Sequence, residues 1–273
     1  MGQVYITMPE GPPVTNGERR NSPPVLHRSD NPWKPNAQHE QSKQLYRRWI
    51  GILNRVTHTS LAVFLEQACE LILSEPEHLV HFLELLIFKA QDEPLFVGVY
   101  ARLCCSIDAR TEIQNDLVKA CENHFNESYQ ILMEYNKVFE EPLSSHTVYE
   151  EILVRQRCIG HLRFVGELHK NGLMSGNHVA AMVEMLLQHS DEPSLECLCR
   201  LLHFTGQELS QTHEDLIEQS CNHLESCLES GSLSHRLRWL TQDTLALHAN
   251  GWRPLRPLAV ERNSSRVTRD VRG

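Results

Sequence analysis

The chain has 273 residues, 41% of them hydrophobic, enough for a substantial core in one large domain or two small ones. Aromatic residues make up only 7%, leucine is abundant, and Val, Ile and Thr rarely alternate with polar residues, which favours helix over strand. No apolar run approaches the roughly 20 residues that cross a bilayer, so the expectation is a protein outside the membrane.

The amino-terminal residues Met1 to Ile6 lack a basic start and an apolar secretory segment, and Ile6 stands where myristoylation needs Ser or Thr. The nine cysteines are an odd number scattered through apolar stretches, which reads as reduced thiols acting as small hydrophobes in the cytosol or nucleus. In that setting the sequons at Asn126 and Asn263 carry no meaning.

Charge is distributed unevenly around a net of −9. Residues 1–40 hold four cations and four carboxylates. Residues 250–273 hold six arginines against Glu261 and Asp270, which leaves residues 41–249 at −13. Nucleic-acid binding rests largely on Lys and Arg neutralising phosphates, so a segment this acidic suits RNA poorly and the Arg-rich tail is the obvious basic candidate.

Residues 1–40 carry seven prolines among Gly, Asn and Ser, and read as a disordered arm. From 41 to 250 the chain is a succession of amphipathic helix patterns. The clearest places Leu79, Phe82, Leu83, Leu86, Ile87 and Ala90 on one face. Val179, Met182, Val183 and Leu186 repeat the spacing, as do Leu195, Leu198, Cys199 and Leu202 and, more loosely, Leu233, Leu237, Leu240 and Leu247. Breaks are expected at Ser74-Glu-Pro76, Asp92-Glu-Pro94, Asn171-Gly172, Asp191-Glu-Pro193, Gly206 and Gly231, from their capping residues, first-turn prolines and terminal glycines. About ten helices result, in pairs recurring at roughly 40 residues, the period of HEAT units. The expected fold is all-α, a solenoid of about five HEAT-type pairs. A longer, mobile interhelical loop is expected where the patterns of 108–149 end in Glu140-Glu-Pro142-Leu-Ser-Ser, and residues 251–273 form an Arg-rich tail.

Catalytic spacings are missing: there is no phosphate-binding glycine loop, no Gly-x-Ser-x-Gly and no His-Glu-x-x-His. His78 with His81, and His203 with Cys199, have helical ligand spacing, but Cys104-Cys105 and Cys197-x-Cys199 put neighbouring thiols on different helix faces. Neither a metal nor any other cofactor is therefore expected. Glu167 and Lys170 read as a surface helix pair rather than acid-base machinery. In the last helix Arg236, Trp239 and Asp243 fall at i, i+3 and i+7, away from the leucine stripe. An exposed Trp among charges is either an interface anchor or a side chain packed on an adjacent repeat. Trp33, in the proline-locked Asn31-Pro-Trp-Lys-Pro35, has nothing local to cover and would dock on a partner or back on the repeats.

Six blocks in order give the chain a further reading. They are Pro32-Trp33-Lys34-Pro35, Arg47-Arg-Trp-Ile-Gly-Ile-Leu-Asn-Arg-Val-Thr57, Lys89-Ala-Gln-Asp-Glu-Pro94 with Tyr100-Ala-Arg-Leu-Cys104, Gly160-His-Leu-Arg-Phe-Val-Gly-Glu-Leu168, Ser194-Leu-Glu-Cys-Leu-Cys-Arg-Leu-Leu202, and Arg236-Leu-Arg-Trp-Leu-Thr-Gln-Asp243 with Trp252. Over about residues 31–257 they resemble the middle domain of eukaryotic translation initiation factor 4G, a five-repeat HEAT domain that binds the DEAD-box RNA helicase initiation factor 4A. The resemblance implies a cytoplasmic, non-enzymatic scaffold that clamps the helicase in two places. Trp33 would meet one lobe. Trp239, standing where the family usually has Phe, would meet the other, with Arg236, Arg238 and Asp243 beside it. Arg155, Arg157 and Arg163 near the sixth helix are what remains of the family's RNA-gripping residues, so mRNA and other initiation factors are implied only as weaker partners. No Tyr is followed five positions on by Leu, so the motif for the cap-binding factor 4E is not recognised. The alternative is a scaffold of the same fold serving mRNA export, decay or poly(A)-protein-linked regulation.

Overall fold

Leucine-rich helical stripes cannot be buried alone, and the computed structural model shows how they are paired. It describes residues 37–137 and 145–253, with side chains from 43–135 and 149–253. Among these there are ten α-helices and one 3-10 turn, and no strand. The helices are α1 (Ala37–Leu53), α2 (Leu61–Ser74), α3 (Leu79–Asp92), α4 (Val97–Thr111), α5 (Gln114–Lys137), α6 (Ser145–Lys170), α7 (Gly176–Leu187), α8 (Glu192–Leu209), α9 (Glu214–Glu229) and α10 (His235–Ala249). Residues 1–36 of the arm, the Glu140-Glu-Pro142 connection and the tail from 254 onward lie outside the described residues, while 37–40, counted with the arm in the sequence, belong to the first turn of α1.

From α2 onward the helices stack in two rows. In one, α2, α4, α6, α8 and α10 pack each on the next; in the other, α3 packs on α5 and α7 on α9, and α3 also crosses onto α6. This is the two-layer, nearest-neighbour packing of an α-solenoid, five helix pairs in succession. The expected stripes face the interior: Phe82, Leu83, Leu86, Ile87, Val179, Val183, Leu195, Leu198 and Leu202 are all buried, with Leu79 at the edge. The nine cysteines are free thiols and eight are buried, with Cys158 and Cys197 Sγ 3.6 Å apart between α6 and α8.

Most breaks fall as capping chemistry dictates. Asp191 caps α8 by accepting from the Ser194 amide at 3.0 Å, ahead of Pro193 in the first turn. Gly172 and Gly231 take the positive φ that ends α6 and α9. Gly206 is the exception, since it lies inside α8 rather than at a boundary. There it has a packing role: a Cβ at this position would sit 2.5 Å from the Trp252 ring. Trp252, itself in the left-handed region with φ 63°, folds back after α10 and buries its indole against that bare backbone. Two more glycines set the approach of α6. A Cβ on Gly160 would overlap the Gln91 carbonyl of α3, and one on Gly166 would come within 2.6 Å of Phe204 Cβ on α8.

Candidate functional site

The quoted sequence blocks meet in space at two polar seams. At the first, Lys89 Nζ on α3 donates to Asn54 Oδ1 at 2.7 Å and pairs with Glu93, which in turn accepts from Tyr100 Oη; that hydroxyl is also 3.4 Å from the Leu53 carbonyl. Burial first, and then the Glu93 carboxylate, push the Tyr100 phenol well above its usual range, so it is held as a donor. The end of α1, the end of α3 and the start of α4 are thereby tied together.

The second seam lies under α10. Glu196 on α8 is only 5% exposed, yet its Oε2 accepts from Arg236 Nη2 and stands 3.7 Å from Arg155 Nη1. Arg155 also donates to Glu151 at 2.6 Å. One carboxylate therefore links α6, α8 and α10, while its Oε1 and the Arg155 Nε are buried without partners among the described residues. A buried charge must be paired to be tolerated, so the register of α10 on α8 is fixed by this seam as well as by apolar packing. Above it, α10 buries Leu237, Thr241 and Thr244 rather than a pure leucine stripe. The threonines turn their hydroxyls inward, Thr244 toward His203 Nε2 at 3.0 Å and Thr241 toward Cys199 Sγ at 3.8 Å.

The opposite face of α10 carries Trp239, 63% exposed, its Nε1 donating to His235 Nδ1 at 3.0 Å. Arg238 and Asp243 are exposed beside it, Asp243 lying 3.9 Å from His203. Of the residues singled out in the sequence, Arg236, Arg238, Trp239 and Asp243 thus share one helix, with Arg236 anchored inward and 58% of its side chain in solvent. Trp33 lies outside the described residues. Arg155, Arg157 and Arg163 do not form one ridge: Arg155 is committed to Glu151 and Glu196, Arg157 pairs with Asp92 at 2.9 Å, and Arg163 lines a cavity between α6 and α8. His203 makes its contacts to Thr244 and Asp243, and among the described residues no group of three His, Cys, Asp or Glu side chains is placed to hold a metal ion. Glu167 and Lys170 form the expected helix pair at 3.5 Å. The residue that sequence reasoning missed is Glu196. Its signal was available, a single carboxylate inside the apolar run from Leu195 to Leu202.

The described residues thus form a two-row helical solenoid whose polar seams hold helices together and whose last helix carries an exposed indole, the architecture of a helical-repeat protein. Residues 46–251 match the MIF4G domain, and the chain belongs to that family. It is 28% identical over 259 residues to eukaryotic translation initiation factor 4 gamma 3 of Mus musculus, an alignment covering 83% of this chain and 16% of that protein. Eukaryotic translation initiation factor 4 gamma 1 of the same organism is 26% identical over 268 residues, covering 85% and 17%. The chain therefore spans about one sixth of the length of these relatives. Among solved structures, the MIF4G domain of Trypanosoma cruzi translation initiation factor EIF4G5 superposes with a TM-score of 0.46 at 17% identity, covering 77% of this chain and 97% of that one. No helix among the described residues is long and apolar enough to cross a membrane.

Proposed function

We propose that this protein is a translation-initiation scaffold of the cytoplasm that binds the DEAD-box RNA helicase initiation factor 4A and modulates its turnover without contributing catalytic groups. The observation that carries the reading is Trp239, a large indole standing in solvent on the terminal repeat and flanked by Arg238 and the half-anchored Arg236. Solvating such a ring is unfavourable, and an indole beside guanidinium groups is the composition that dominates interface energetics. The name shared by the matched relatives, translation initiation factor 4 gamma, supports the biological setting. With Trp33 supplying a second contact, the scaffold would bias the two helicase lobes toward one orientation, which raises turnover only if that orientation is the productive one.

Calorimetric titration of initiation factor 4A into the full chain tests this. Trp239→Ala should weaken binding roughly 30-fold, the equivalent of about 2 kcal/mol at a hot spot, and Trp33→Ala should weaken it independently. Unchanged affinity in the Trp239 variant would sink the reading and favour a scaffold of the same fold working in mRNA export, decay or poly(A)-linked regulation. The sign of the helicase ATPase response separates an activator from a competitor of full-length factor 4G. RNA affinity, on this reading, resides in the Arg-rich tail and falls steeply with salt.

A further inference from the structure

At the middle of the solenoid, the end of α3 and the exposed sides of α6 and α8 enclose a cavity of about 820 Å3 lined by Gln91, Asp92, Arg157, Arg163, Arg200 and Phe204. Helical spacing brings these side chains together. Arg157, Gly160 and Arg163 lie three apart on one face of α6, and Arg200 is one turn before Phe204 on α8. Bare glycine backbone at Gly160 draws α3 close, so the guanidinium groups flank a recess rather than a ridge. Three cations face one carboxylate, Asp92, which engages only Arg157. Arg163 and Arg200 form no hydrogen bond or ion pair with any described residue, and the Arg200 Nε is buried with its donor unused. Within a segment of net charge −13, a recess of local charge +2 with a buried guanidinium donor left unused is a distinctive place for an anion to bind.

We propose that this cavity binds a phosphoserine or phosphothreonine within a segment of a partner protein, the phosphate lying on Arg163 and Arg200. A phosphate monoester carries about −1.5 to −2 charges at pH 7 and three terminal oxygens, which matches two free guanidinium forks and the net +2 of the lining. Phe204 and the nearby Leu153 and Pro94 offer apolar surface to the neighbouring peptide side chains. RNA fits less well. Its phosphodiesters carry one charge each and repeat along a strand, and a strand leaving the cavity over α3 or α8 meets helices in which carboxylates outnumber cations. The site is separate from the Trp239 face, so its fate and that of helicase binding are independent.

The test immobilises the full chain and measures retention of three probes: a degenerate nonapeptide pool centred on phosphoserine, the same pool unphosphorylated, and a uridine decanucleotide. The phosphorylated pool should be enriched at least tenfold over its counterpart. Arg163→Gln with Arg200→Gln should abolish the enrichment, the charge-reversed Arg163→Glu with Arg200→Glu should do the same, and Trp239→Ala should leave it intact. Circular dichroism melts of each variant separate lost recognition from lost folding. Equal retention of the two peptide pools overturns the proposal. So does decanucleotide binding that depends on these arginines in the absence of any phosphopeptide preference, which would make the cavity an RNA contact.

Discussion

The two rows of the solenoid are built from similar helices and differ sharply in charge. Helices α3, α5, α7 and α9 together carry three lysines against twelve carboxylates, whereas α2, α4, α6, α8 and α10 carry nine cations against ten. The acidic row repels polyanions over its length and gains solubility from its charge. The balanced row spends its charges locally, in the Glu196 seam, the Arg157–Asp92 pair and the unpaired Arg163 and Arg200, and it also carries Trp239. The exposed indole and the unpaired arginines are thus concentrated on one row. The other row contributes packing and an acidic field that disfavours polyanions.

The comparison breaks most easily where the rows meet. Gly160→Ala forces a methyl into the Gln91 backbone, which cannot move aside without parting α3 from α6, so chemical denaturation should show a loss of about 3 kcal/mol. An acidic-row control such as Ala181→Ser, at an exposed position on α7, should stay within about 0.5 kcal/mol. Acid should open the same seam. His161 is buried on α6 between the rows, its Nε2 donating to the Cys121 carbonyl of α5 at 2.9 Å and its Nδ1 facing Gln91 Nε2 at 3.4 Å. Desolvation, with the nearby His124 second, pushes its pKa down to about 4. The folded state then takes up the proton later than the unfolded chain. Stability is therefore full above about pH 6.5, declines as pH falls, and has lost about 3 kcal/mol once pH passes the folded value near 4. His161→Gln should flatten that part of the stability-versus-pH curve while lowering its neutral plateau. A variant curve parallel to the wild type would assign the acid sensitivity elsewhere, with His203, also depressed by burial, as the next histidine to replace.

Smaller effects sharpen the contrast. Glu196→Ala strips the partner from Arg236 and leaves Arg155 with Glu151 alone; a fully buried pair would lose more, but Arg236 is largely solvated, and about 2 kcal/mol is expected. Because α10 then loses its charged tie to α6 and α8 and keeps only apolar packing and the threonine contacts to His203 and Cys199, amide exchange in 235–249 should accelerate more than in α7 or α9; uniform acceleration would mean that the seam supports the whole solenoid rather than this helix. The smallest change belongs to the acidic row. Replacing Glu214, Asp215 and Glu218 with Gln on α9 should alter stability by less than about 0.5 kcal/mol at physiological salt, while raising the affinity of a uridine decanucleotide at low salt. An equal gain from neutralising carboxylates on α2 would erase the distinction between the rows.

Much of this was legible in the sequence because helical periodicity and capping are local. The stripe from Phe82 to Ala90 and the Asp191 cap depend on residues within a turn of one another, and both fall where spacing places them. Gly206 shows where local reasoning stops. A glycine near the end of a helical pattern reads as a terminator, and only the return of Trp252 from 46 residues further on reveals that its missing side chain is what the fold uses. The face of α10 divides in the same way. Trp239 stands off the leucine stripe by arithmetic alone, but the burial of Thr241 and Thr244 depends on His203 and Cys199 of α8 lying within hydrogen-bonding reach of their hydroxyl oxygens.

By itself the sequence determined the helical class, the approximate helix number, the interior leucines and the ordered blocks that carry the MIF4G resemblance, since each is set by short-range spacing or residue identity. Tertiary structure decided which arginines are spent and which are free. Three of them looked equivalent along α6, yet Arg155 meets Glu151 and Glu196, Arg157 meets Asp92, and Arg163 meets open space. The strength and meaning of a charge depend on what lies within a few ångströms of it, and those neighbours come from helices distant in the chain.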